Sequence, residues 1–168
     1  MKNVFLTFAK YNRDADAAVL SILNKLSNEE REKERGSYYH SLSGLVRHII
    51  GGDSFFCGMF KAAMTNNEAA LKALAPLTTI SVPKDALNET QWQDVVKACE
   101  LIDAALVSFV EALSDEDCKV MVKAPWGSSS LAFMLQNLIV HGTHHRGQIS
   151  QILDELNIDN DYSGIKGE

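Results

Sequence analysis

Apolar residues recur every three or four positions along most of this chain, and that spacing is typical of amphipathic α-helices. It predicts four long helices, over residues 4–26, 42–60, 92–113 and 130–156. Between the second and third of these, residues 65–90 are more polar, contain Pro76 and Pro83, and include one short predicted helix at residues 68–75. The sequence therefore predicts an all-α fold, a four-helix bundle with a long crossover connection.

The segments outside the long helices carry cap and turn signals. Either Ser41 or Ser43 is suited to cap the second helix. Residues 118–129 combine turn residues with a short alternating piece, which predicts an isolated strand. The tail, residues 157–168, is polar and is predicted to be coil. Because the chain has 168 residues and shows no repeat, we expect a single domain over residues 1–168.

Charge and composition exclude several classes of protein. The net charge is −6 and the pI is about 5.3, which argues against a broad nucleic-acid-binding surface. No stretch approaches the roughly 18 apolar residues of a membrane span. The cysteines are widely spaced and odd in number, so free thiols in a reducing compartment are expected: Cys57, Cys99 and Cys118. We therefore expect a cytoplasmic protein that binds neither nucleic acid nor membrane.

The segment HGTHHRGQ, residues 141–148, holds three of the five histidines. At about 100° per residue, His141 and His145 lie on the apolar face of the last helix, and His144 lies at its polar edge. A buried imidazole needs a polar partner. Two histidines four residues apart on one helix are also the usual ligand pair for an ion such as Zn²⁺. On this spacing alone, a hydrogen-bonded pair of imidazoles is an equally good interpretation.

A third histidine strengthens the metal hypothesis. His48, in LVRHIIGG, lies on the core-facing side of the second helix. Three neutral imidazoles could hold a divalent ion and leave a position open for water or substrate. Gln148 and Asn137 lie beside the same face of the last helix and are candidates to contact a substrate. No residue stands out as a general base, so no catalytic residue is predicted.

Of four residues near the histidines, three are assigned structural roles. Asp53 and Cys57 lie away from the ligand side of the second helix and are expected to pack. Arg146 is expected either to pair with a carboxylate of another helix or to anchor an anionic group. Gly147 is expected to allow close helix packing, and the glycines of the second helix are expected to allow close approach of a neighbouring element or a ligand.

Together these motifs resemble the DinB-like family of metal-binding proteins, over nearly the whole chain. FAKYNRDADAAVLSILNKLSNEE, SLSGLVRHIIGGDSFF and NLIVHGTHHRGQISQIL resemble the family's first, second and last helices, and H-x-x-x-H-R-G-Q is the most specific motif. The resemblance implies a four-helix bundle, often a homodimer, with His48, His141 and His145 as ligands. It implies zinc or nickel, or else iron or manganese. Some relatives transfer low-molecular-weight thiols, and one group isomerises maleylpyruvate.

Three functions are compatible with the sequence. The favoured one is a metal-dependent enzyme in which the three histidines hold an ion that activates a thiol or water, as a thiol S-transferase or a hydrolase acting on a small molecule. The second is a non-catalytic metal-binding or small-molecule-binding protein of the stress response. The third is a structural helical dimer whose histidines are hydrogen-bonded core residues.

Overall fold

The computed structural model describes residues 1–79, 82, 83, 85–162 and 164. Its elements are α1 Lys2–Leu23, α2 Asn28–Glu32, α3 Leu42–Ala63, α4 Glu68–Ala73, α5 Glu89–Ala112, β1 Met121–Ala124, β2 Gly127–Ser130 and α6 Leu131–Glu155, with short 3-10 helices at Ala75–Thr79 and Asp117–Lys119. The four long helices match the four predicted ones to within a few residues. The predicted all-α fold is confirmed.

The four long helices pack into a bundle. α1 lies against α5 and α6, and α3 lies against α6 and α5. The connection from α3 to α5 contains α4 and a 3-10 helix, as the looser pattern of this region predicts. Three residues of that predicted connection, at positions 80, 81 and 84, lie outside the described residues. Within the described part of the chain, no helix is apolar enough over sufficient length to cross a membrane.

Local signals in the sequence explain where α3 and α6 begin. Ser41, rather than Ser43, caps α3, because its Oγ accepts the N–H of Gly44 at 3.0 Å. In the same way Ser130 caps α6, accepting the N–H of Phe133. The prediction of one isolated strand in residues 118–129 is wrong, because two strands, β1 and β2, form an antiparallel hairpin there. The described part of the tail has no helix or strand beyond α6, and the rest of the predicted coil lies outside the described residues.

The core consists of two apolar clusters with buried polar residues between them. One cluster surrounds Phe60 and Phe109, whose rings stack at 5.5 Å. The other surrounds Trp92 and Leu45. Along each long helix, the residues of the two clusters are separated by polar residues that are at most 4% exposed: Asn12 and Asp16 on α1, Asp53 on α3, Asp103 on α5 and Arg146 on α6. We call these five residues the polar layer.

Candidate metal centre

Three histidine rings from two helices converge beside the polar layer. His48 on α3 and His141 and His145 on α6 each offer one nitrogen, and these nitrogens all lie within 4.8 Å of one another. The Nε2 atoms of His48 and His141 are 2.9 Å apart. His145 is 6% exposed, whereas the other two rings are half-buried. The structure therefore brings together the three histidines singled out from the sequence.

A glycine on α3 makes room for the His141 ring. A Cβ atom at Gly52 would lie 2.7 Å from Cε1 of His141 and 3.1 Å from its Nδ1. Contacts under 3.0 Å do not occur for real Cβ atoms, so any side chain at Gly52 would displace the ring. Nothing lies within 4 Å of the same position at Gly51. Of the four glycines of this helix, Gly44 and Gly52 allow the expected close approach, whereas a Cβ atom at Gly51 or Gly58 would meet nothing within 4 Å.

The surroundings keep the three imidazoles neutral. Burial, together with the neighbouring rings of His145, His48 and His144, lowers the pKa of His141 to about 4. Burial also lowers the pKa of His48 and the pKa of His145, although the bond to Gln148 partly opposes the shift at His145. Neutral imidazole is the form that binds a metal ion. The electrostatics therefore suit coordination at neutral pH.

The other predicted site residues lie at the edge of this group. Gln148 is exposed, and its Oε1 lies 2.7 Å from Nδ1 of His145, so it can accept that N–H and leave Nε2 free for an ion. Asn137 is half-buried one turn before His141. Contact of Gln148 and Asn137 with a substrate stays a prediction. His144 is exposed and lies outside the group of three, although its ring packs edge-on against His145.

One aromatic neighbour was missed by the sequence analysis. The ring of Tyr39, in the segment before α3, stacks on His48 with ring centroids 3.9 Å apart. Helical periodicity carries no information about this residue, because the path of a loop is set by local hydrogen bonds and not by an apolar stripe. A histidine that binds a metal usually donates its other ring N–H to a hydrogen-bond acceptor, which we call its outer partner. His145 has such a partner in Gln148, whereas Nδ1 of His141 is buried with no hydrogen-bond partner among the described residues.

Arg146 fixes the rotation of α6 about its own axis. Its NH1 donates to Oδ1 of Asn12 at 2.8 Å and to Oδ1 of Asp16 at 2.9 Å. The hydroxyl of Tyr162 donates to the carbonyl oxygen of Arg146 at 2.9 Å. Of the two roles expected for Arg146, pairing with a carboxylate of another helix is therefore the one observed. Because His145 precedes Arg146, this anchor also sets the direction of the ligand side of α6.

The polar layer holds three carboxyl groups but only one guanidinium. Burial raises the pKa of Asp16, Asp53 and Asp103, and like charges within the layer raise the pKa of Asp53 and of Asp103 further. The amide of Asn12 donates to both Asp16 and Asp103, at 3.0 and 3.3 Å. Asp16, Asp103 and Cys99 also offer atoms within 4.8 Å of one another. The thiol of Cys99 donates to Oδ2 of Asp103 at 3.5 Å, so these three residues all take part in hydrogen bonds of the layer, and we assign them a structural role.

Two expectations about packing have opposite outcomes. Cys57 is buried as expected, and burial raises the pKa of its thiol, so it stays protonated and unreactive. The expectation for Gly147 is wrong, because Gly147 is exposed and a Cβ atom there would meet nothing within 4 Å. Close approach occurs instead at Gly142, where a Cβ atom would lie 3.0 Å from Oδ1 of Asn12.

Comparison with known proteins assigns most of the chain to one family. The family model described as "DinB family" matches residues 1–157 of the 168. The matched region contains all four long helices and all three converging histidines. A comparison with curated proteins finds no match to this chain.

Proposed function

Since this chain belongs to the DinB family, we propose that it is a metal-dependent enzyme that acts on a small molecule, with His48, His141 and His145 as the metal ligands. The observation that carries the proposal is the convergence of three imidazoles that are held neutral. Three protein ligands leave a coordination position free, which is typical of catalytic sites and not of structural ones.

The donor set fits a divalent transition metal. Zinc–imidazole bonds of 2.0–2.1 Å put two nitrogens on one tetrahedral ion about 3.3 Å apart. The Nε2 atoms of His48 and His141, now 2.9 Å apart, would need to separate only slightly. Imidazole nitrogen suits zinc and nickel better than it suits manganese, with iron between them. We therefore propose zinc or nickel first, and iron or manganese as alternatives.

The charge of the site favours an anionic ligand. The contacts described for the three rings are with one another and with side chains that carry no negative charge: Tyr39, Phe56, His144 and Gln148. A divalent ion held by three neutral ligands would keep its full positive charge. The free position therefore favours a thiolate or another anion over a neutral molecule.

The nucleophile is proposed to come from outside the protein. An ion in this site would lower the pKa of a thiol or water bound beside the histidines toward neutrality. The three cysteines of the chain are buried, so none of them can reach the substrate as a thiolate. A low-molecular-weight thiol, or water, is left for this role. The reaction we propose is thiol S-transfer, with hydrolysis as its variant.

The proposal is tested with cobalt(II) in place of the native ion. Adding a thiol such as glutathione is expected to produce a saturable sulfur-to-metal charge-transfer band, and the His145→Ala variant is expected to produce none. The loaded protein is then assayed with panels of thiols and electrophiles. Metal binding without a thiol band would exclude the thiol chemistry and leave hydrolysis to be assayed.

A non-catalytic role is the second candidate. The group described above contains no carboxylate or other clear general base, and that observation favours a protein that binds a metal or a small molecule without turnover, as in a stress response. A thiol band with no turnover over the whole panel would support this candidate. Turnover that requires the metal would exclude it.

Substitution of Gly52 is expected to disturb the site without removing a ligand. Gly52→Ala should displace the His141 ring and weaken zinc binding by about 10- to 100-fold, the usual cost of losing the support of a ligand. Gly51→Ala is the matched control, because its Cβ would meet open space, and it should retain the wild-type affinity. Competition with a chromophoric chelator measures both. Equal affinities in the two variants would contradict the role given to Gly52.

We also propose that the protein is a homodimer that pairs through the outer face of α3 and α6. Residues 49–60 contain only one charged residue, the buried Asp53, and residues 131–145 contain none. Phe55 and Val140 are nevertheless 46% and 57% exposed on these two helices. Two copies that each carry a charge of −6 repel least through an uncharged face.

Val140→Glu is therefore expected to convert the dimer to a monomer, because pairing about a two-fold axis would bury two unpaired carboxylates at a cost of several kcal/mol. Leu101→Glu, on α5 and 40% exposed, is the control and should leave the dimer intact. Light scattering after gel filtration measures the mass. A monomeric wild-type protein would refute the proposed dimer.

A further inference from the structure

The segment before α3 places an aromatic ring against two of the three histidines. Tyr39 stacks on His48 with an interplanar angle of 21°, and it meets His145 edge-on, with centroids 5.2 Å apart and an angle of 90°. Tyr39 is itself half-buried. The proposed function gives it no role, and the sequence motifs do not include it.

The backbone of this segment has a defined conformation. The N–H of Arg35 donates to the carbonyl oxygen of His40 at 2.7 Å, and the N–H of His40 donates to that of Ser37 at 2.9 Å. His40 has φ of 66°, in the left-handed region that non-glycine residues seldom adopt. Its ring lies 2.9 Å from a carboxylate oxygen of Glu34. Hydrogen bonds of the residues before and after Tyr39 thus fix the turn that carries it.

A glycine lets this turn rest on the first turn of α3. A Cβ atom at Gly44 would lie 1.9 Å from the carbonyl oxygen of Tyr39, and 3.1 Å from its carbonyl carbon. The atoms that a Cβ at Gly44 would meet belong to the backbone of Tyr39, and backbone atoms cannot rotate away as a side chain can. Ser41 caps the same helical turn, so the cap, Gly44 and the backbone of Tyr39 form one packed unit.

We propose that Tyr39 is a positioning residue for the three-histidine group, fixing the plane of the His48 ring and covering one face of it. His48 is the only member of the group on α3, and among the described residues no side chain bonds to its ring as Gln148 bonds to Nδ1 of His145. An aromatic stack restricts rotation of the imidazole about its χ2 angle without occupying either nitrogen. Gly44 acts through the backbone to hold Tyr39 in place. The consequence for metal affinity rests on the proposed function, whereas the positioning of the ring does not.

Zinc affinity of the full chain tests the consequence for the metal site. Tyr39→Leu, which removes the stack, is expected to weaken zinc binding about tenfold. Tyr39→Phe, which keeps a ring, should remain within twofold of wild type. Tyr38→Leu is the control, since Tyr38 is 86% exposed and contacts Tyr39 but is not in ring contact with the three histidines. Wild-type affinity in Tyr39→Leu would overturn the proposal.

A measurement on metal-free protein separates this proposal from the proposed function. A stacked tyrosine shifts the ring protons of His48 upfield in the NMR spectrum. That shift is expected to be kept in Tyr39→Phe and lost in Tyr39→Leu, with the helical circular dichroism unchanged. If the wild type bound no zinc, the proposed function would fail, and loss of the shift would still support the positioning role. A shift that Tyr39→Leu leaves unchanged would overturn the positioning role whether or not zinc binds.

Discussion

His141→Ala and His145→Ala are each expected to abolish stoichiometric metal binding, and His144→Ala is expected to leave it unchanged. The first two variants remove one of three converging nitrogens, whereas His144 is exposed and lies outside the group. Loss of a ligand should weaken binding by more than about 100-fold, the upper end of what outer partners contribute. Elemental mass spectrometry of protein purified without a histidine tag measures the effect.

His48→Ala tests the ligand on α3 by the same measurement. Its loss should equal that of the two α6 variants, because His48 and His141 meet at 2.9 Å through the nitrogens proposed to bind the ion. Equal losses from all four variants, His144→Ala included, would contradict the ligand assignment. A wild-type protein without metal, even after reconstitution, would favour the structural dimer with hydrogen-bonded histidines, in which one of these two nitrogens donates to the other.

The helices could be predicted from the sequence because their burial is one-sided. On α6, Leu138, Ile149 and Ile152 share a face, and the same periodicity places His141 and His145 toward the interior. The same periodicity predicts that His145 points inward and that His144 lies at the polar edge. The structure agrees, since His145 is 6% exposed and His144 is exposed. A single helix, however, gives no distance to His48 on α3. That proximity depends on how the two helices pack.

The polar layer could not be predicted from sequence patterns. On α1, Asn12 and Asp16 have the composition of an ordinary solvated face, yet they are 0% and 4% exposed. Only the partners from other helices, Asp103 and Arg146, explain their burial. Glycines pose the same difficulty, because Gly51 and Gly52 are adjacent in sequence and only the second faces a neighbouring ring. Contacts between helices determine whether such residues are buried, and these contacts cannot be predicted from the local sequence.

Arg146→Ala is expected to destabilise the protein by roughly 3–5 kcal/mol, the cost of leaving a buried charge without its partner. Arg146 is 2% exposed, and its guanidinium is the only one in the polar layer, opposite three buried carboxyl groups. Arg13→Ala is the matched control, because Arg13 is 44% exposed and pairs with Asp14 at the surface. Its loss should be at most about 1 kcal/mol. Urea unfolding at neutral pH, with a chelator present, measures both variants.

The pH dependence of this loss separates lost charge from lost packing. Burial already raises the pKa of Asp16 above its usual value, and Arg146 opposes that shift. Without Arg146 the pKa of Asp16 in the folded state should rise further. A folded-state pKa above the unfolded one gives stability that is present at low pH and lost as the pH rises through the folded value. The deficit of Arg146→Ala should therefore be largest at neutral pH and shrink as the pH falls toward 4. A deficit that stays constant over this range would mean that Arg146 stabilises the bundle by filling space and not by its charge.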